Sequence, residues 1–101
     1  MTDHVMETVT FKLNADGDRA AFADAARAMN AYVEGCPGFI ARRLSCTAEG
    51  LWIEQIEWAS MDDARAAAAG IGDAPVNAPF LQAIDGPSAT VMHSQLMVAV
   101  N

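Results

Sequence analysis

Basic residues are scarce in this chain: six Lys and Arg stand against thirteen Asp and Glu, a formal net charge of −7 over 101 residues. The six are also scattered. Binding a phosphate backbone needs clustered positive charge, so a nucleic-acid partner is excluded, and an acidic chain suits a membrane surface no better. No apolar run approaches the roughly 20 residues of a membrane-spanning helix. Met1-Thr2-Asp3-His4 has neither the basic region nor the apolar stretch of a signal peptide, so a cytoplasmic location is expected by default. Cysteine is equally sparse. Cys36 and Cys46 are too few for a disulfide scaffold and lack CxxC spacing; they read as reduced thiols, with a single bridge left open. Only His4 and His93 could join them, and neither sits at ligand spacing, so no metal is expected.

What the chain does have is apolar residues, 52% of the total. That is ample for one compact core, and residues 1–101 read as a single domain. Val5–Leu13 alternates with period two, which predicts a strand. Asn14–Asp18 supplies turn residues and an N-cap. From Asp18 to Glu34 the period lengthens, with Phe22, Ala25, Ala26, Met29, Tyr32 and Val33 on one helical face. Gly35-Cys36-Pro37-Gly38 stops that helix. Phe39–Cys46 and Leu51–Trp58 read as a hairpin across Thr47-Ala48-Glu49-Gly50. Ser60 caps a second helix whose first turn carries Asp62 and Asp63. Gly70 to Pro75 breaks it, a short helix covers Val76–Ile84, and Ala89–Val100 reads as the last strand.

The order β-α-β-β-α-β, with right-handed crossovers, predicts an α+β, ferredoxin-like domain: a four-stranded antiparallel sheet with its helices on one face. A half-solvated sheet alternates apolar and polar residues cleanly. Here Phe39 and Ala41 are read on one side and Ile40 and Leu44 on the other, and Trp52, Ile56 and Trp58 oppose Leu51 and Ile53. Apolar residues on both faces predict that both are covered, the open one by a second copy of the chain in a homodimer.

Three features together carry a family likeness: the corner Pro37-Gly38-Phe39, the run Trp58-Ala59-Ser60 followed by Asp63-Ala64, and the element order over about a hundred residues. The chain resembles the antibiotic biosynthesis monooxygenase-like members of the dimeric α+β barrel superfamily over essentially its whole length. The resemblance implies a dimer whose facing sheets form a barrel, a ligand pocket between sheet and helices, and cofactor-free oxygenation of a small oxygenated aromatic. Two departures stand out. Family members often carry Glu-x-Trp at the end of the third strand, where this chain has Ile56 two before Trp58. Haem-degrading members use an Asn in the first strand and a His on the second helix; here Glu7, Thr8 or Thr10 occupies the first position and no His lies between Asp18 and Met92, which disfavours haem.

Glu7 interrupts the apolar row Val5, Val9, Phe11, and Glu54 interrupts Trp52, Ile56, Trp58. A carboxylate in an apolar row is either partnered or more readily protonated. Arg42, Arg43 and His93 are the candidate partners, and strand alternation allows only one of the two arginines into any one cluster. His93, Glu7 and Glu54 are therefore the candidate general bases, imidazole being the side chain that changes charge near neutral pH. Deprotonating a phenol would make it electron-rich enough to reduce dioxygen without a cofactor. Trp52, Trp58, Arg43 and Phe80 are the candidate substrate contacts, with Asn77 and Phe80 read as a lid. The competing reading is a non-catalytic dimeric ligand-binding or stress-associated domain, in which the same polar groups fix strand register.

Overall fold

The computed structural model describes residues 4–100; the N-terminal residues 1–3, read above for a leader, and residue 101 lie outside them. The chain runs β1 (Val5–Phe11), α1 (Arg19–Ala28), α2 (Asn30–Gly35), β2 (Phe39–Cys46), β3 (Trp52–Trp58), α3 (Met61–Gly70), α4 (Ala78–Ala83) and β4 (Thr90–Gln95). The sheet order is β2-β3-β1-β4 with every pairing antiparallel, the ferredoxin-like arrangement. No described helix is long and apolar enough to cross a membrane.

Local chemistry sets the ends of the elements. The Asp18 side chain accepts from Ala20 N–H at the start of α1, and Ser60 accepts from Asp63 N–H at the start of α3. Gly38 has φ +81, and a side chain there would run into the Asp63 carboxylate. The Pro37-Gly38-Phe39 corner and the Ser60–Asp63 cap are thus one joint, since the Gly38 carbonyl also accepts from Ala59 N–H at 2.8 Å.

The single helix expected over 18–34 is two. At Met29 the ladder tightens, its N–H bonding to Ala26 O three residues back at 3.1 Å, and α2 starts afresh at Asn30. The last strand is half the expected length. Among the described residues the β1–β4 pairing runs as far as Val5 and Gln95, with one further bond from Leu96 N–H to His4 O at 2.9 Å. Met97, Val98 and Val100 lie exposed.

Directly opposed residues share a face of a sheet. Val5, Glu7, Val9 and Phe11 stand opposite Trp58, Ile56, Glu54 and Trp52, on the side the helices cover. A one-residue bulge between Phe39 and Ala41 corrects the expected phase of β2: Phe39, Arg42, Leu44 and Cys46 face the helices, whereas Ala41, Arg43 and Ser45 face away. The open side is accordingly mixed rather than apolar. Met6, Ile53 and Met92 share it with Thr8, Thr10, Gln55, Glu57 and Ser94.

The helix side holds the core. Phe11, Phe22, Ala26, Met29, Trp52 and Phe80 form one cluster, and Val33, Ile56, Trp58, Ala64 and Ala67 the other. Edge-to-face contacts such as Phe22–Trp52, 4.8 Å between ring centroids, order the first cluster.

Candidate functional site

Between the two core clusters and the sheet lies a cavity of about 150 Å³. Val9, Phe11, Ile56 and Trp58 give its sheet wall, Met29, Ala67 and Phe80 its helical wall, and Glu7 and Glu54 both reach it. The period-two rows of β1 and β3 bring the two carboxylates to neighbouring positions: Glu54 pairs with Val9, two residues along from Glu7.

Glu54 is 6% exposed. Arg42 donates to it twice, from Nε at 2.8 Å and from Nη2 at 2.6 Å, and both bonds end on Oε2. The remaining Arg42 nitrogen, Nη1, donates to Ala26 O at 2.7 Å and to Asn30 Oδ1 at 3.0 Å. The break at Met29 therefore has a use: it sets Ala26 O and the Asn30 side chain where one guanidinium takes both. Phe80 covers the guanidinium at 5.5 Å. Burial pushes the Glu54 carboxyl above its ordinary range, Arg42 pulls it back by charge and hydrogen bond, and Glu7 pushes it up again. The net direction is upward.

Glu7 has two looser partners. Trp58 Nε1 donates to its Oε1 at 3.3 Å, and His93 Nε2 lies 3.3 Å from its Oε2. His93 is directly opposite Glu7 in the β1–β4 pairing and more exposed, so Glu7 stands between the imidazole and the cavity. Tyr32, read as core, also lines the cavity. Its hydroxyl donates to Ala67 O at 2.6 Å. Burial first, then Cys36 and Asp73, raise the phenol's pKa and keep it neutral.

Two sequence candidates fall elsewhere. Arg43 faces the open side opposite Gln55, because the bulge hands the helix side to Arg42. Trp52 lines a separate outer groove with Arg42 and Asn30, cut off from the cavity by its packing against Phe22. Phe80 is cavity wall rather than lid, 2% exposed and stacked on Phe22. Asn77 is fully buried and donates to Ile71 O at 2.9 Å, which removes it as a lid. Arg42, weighed only as a partner, is the residue sequence reasoning left out of the site; its place two before Leu44 in an apolar row was the signal. Cys36 and Cys46 are free, and no three His, Cys, Asp or Glu gather to hold a metal among the described residues.

No family model matches the chain, and no curated protein matches it. Solved structures do. SnoaB, a cofactor-independent oxygenase from Streptomyces nogalater, superposes with a TM-score of 0.68 at 20% identity, covering 98% of this chain and 96% of that one. An inferred antibiotic biosynthesis monooxygenase from Bordetella bronchiseptica gives a TM-score of 0.79 at 13% identity, over 95% and 99% of the two chains. The chain has the antibiotic biosynthesis monooxygenase fold. A third structure of that fold, from Nitrosomonas europaea, matches with a TM-score of 0.74 at 12% identity, over 100% and 97%. The antibiotic biosynthesis monooxygenase fold is thus matched end to end.

Proposed function

We propose that this chain is a cofactor-independent oxygenase of a small oxygenated aromatic, working as a homodimer paired through the open side of its sheet. The observation that carries the reading is the cavity itself, apolar and aromatic in its walls with two carboxylates projecting into it. The fold it shares with SnoaB supports the reaction class. A carboxylate takes the proton of a ring hydroxyl, and the electron-rich anion then reduces dioxygen directly. One oxygen atom enters the substrate and the other leaves as water with two hydrogens from the substrate. His93 holds the second carboxylate, Glu7, from the more exposed side.

The open side supports the pairing. Ile40 and Met92 are exposed there, and the face carries both signs of charge, with Arg43 near Glu57 and His4 Nδ1 2.7 Å from Glu57 Oε2. A two-fold axis passing between Arg43 and Glu57 would set each sign against the other. A solution mass equal to one chain at micromolar concentration would overturn the dimer.

Oxygen uptake on phenolic aromatics by chelator-treated, flavin-free protein tests the activity. Turnover should fall about a hundredfold or more in Glu54→Gln, the usual loss for a missing general base. A second reading, a ligand-binding domain without turnover, is favoured by the Glu54–Arg42–Asn30 network, which ties β3 through β2 to the start of α2. Aromatics that bind with no oxygen uptake would establish it instead.

A further inference from the structure

The two carboxylates of the cavity are not equivalent. Both Arg42 bonds to Glu54 end on Oε2, and Oε1 has no partner among the described residues. Glu7 has a neighbour on each oxygen, Trp58 on Oε1 and His93 on Oε2. The Glu54 side chain is 7% exposed and lines the cavity, so its unengaged oxygen has nothing to meet except what enters there. Asn77 Oδ1, not Glu54 Oε1, is the fully buried side-chain oxygen without a partner among the described residues, so Oε1 keeps surface open to the cavity, where a ligand hydroxyl can donate to it.

Size sets the second condition. A cavity of about 150 Å³ matches the engineered apolar cavities of roughly 150 Å³ that take up benzene. A single ring is the size that such a cavity takes up.

We infer that Glu54 Oε1 is the acceptor for the hydroxyl of a single-ring phenol, and that Arg42 is the positioning residue that turns this oxygen into the cavity. The inference rests on reading the cavity as an aromatic site and narrows it to one ring and one carboxylate. On binding, the ring hydroxyl donates to Oε1; when it ionises, its proton moves to that oxygen and the phenolate stays beside it. Glu7 is the carboxylate beside Glu54 on the sheet wall of the cavity, Arg42 is on its far side, His93 acts through Glu7, and Tyr32 is neutral. The upward pull of burial on Glu54 suits an acceptor that must take a proton from a weak acid.

Phenol and toluene, equal in size and differing by hydroxyl against methyl, are the probes. An apolar cavity alone prefers toluene. The wild-type chain should bind phenol at least tenfold more tightly, and Glu54→Gln should cut that preference at least tenfold while toluene binding stays. The 13C signal of the Glu54 carboxyl should move with phenol more than that of Glu7, a readout that needs no variant. Arg42→Lys should lower the preference severalfold and raise the pH at which the Glu54 carboxyl titrates, with toluene binding kept. A preference that survives Glu54→Gln and disappears in Glu7→Gln overturns the assignment, as does equal binding of phenol and toluene; both leave the aromatic site standing. If neither ring compound binds, the aromatic site falls, and the assignment with it.

Discussion

The two sides of the sheet use the same residue types for opposite ends. On the helix side a carboxylate and a guanidinium are buried together, with the Glu54 and Arg42 side chains each 7% exposed. On the open side Arg43 and Glu57 stand in a half-solvated row beside Thr8 and Gln55. Charge costs little where water reaches it and a great deal where it does not. Arg42 and Arg43 are adjacent in sequence, so their contrast comes from strand alternation in the phase that the bulge sets.

The sharpest way to break the comparison is to truncate each arginine. Arg42→Ala leaves Glu54 buried without its partner and should cost about 3–5 kcal/mol of folding stability in urea titration. Arg43→Ala should stay within about 0.5 kcal/mol in the monomer. Equal losses would mean that the faces do not differ as described.

Association gives the next effect. Met92→Lys puts a charge on the open side, where Met92 is 62% exposed in the protomer. If that side pairs with a second copy, sedimentation should show association weakened roughly a hundredfold, with the protomer's fold intact.

The third is a pH dependence. Glu54 binds its proton more tightly in the folded chain than in the unfolded one. Its contribution is therefore fully present below the unfolded value of about 4.5 and lost as the pH rises through the higher folded value. Each tenfold difference in proton affinity amounts to about 1.4 kcal/mol. Thermal melts of wild type and Glu54→Gln across that range should converge toward low pH and diverge above it, with the wild type losing relative stability.

The smallest effect belongs to the open side again. Thr10 and Thr90 bond hydroxyl to hydroxyl at 2.6 Å across β1 and β4. Thr90→Val should cost about 0.2–1 kcal/mol.

Much of the helix side is legible in the sequence because its rows keep strict period two. Glu7 shares a row with Val5, Val9 and Phe11, and Glu54 with Trp52, Ile56 and Trp58, as the alternation predicts, but which face those rows take is not written in the alternation. The choice between Arg42 and Arg43 is only half legible: Arg42 stands two before Leu44, but the face of that row depends on the bulge between Phe39 and Ala41, and an extra residue in one strand appears only once its partner is known. The contact of His93 with Glu7 needs the β1–β4 register, 86 residues apart in the chain. The last strand was read too long for a related reason. Leu96–Val100 is as apolar as a strand, but composition does not say how far the partner strand extends, and among the described residues the β1–β4 pairing runs to Gln95.

Among the described residues β4 has one neighbour, β1, and every one of its six residues is exposed on the protomer. Strands held on one edge and uncovered open well below the global unfolding energy. Its amides should be the first of the sheet to exchange with deuterium. His93 rides on that strand, so its contact with Glu7 lasts only as long as the edge stays closed. Anything that clamps the edge, a partner chain included, sets how often the carboxylate behind the cavity is released.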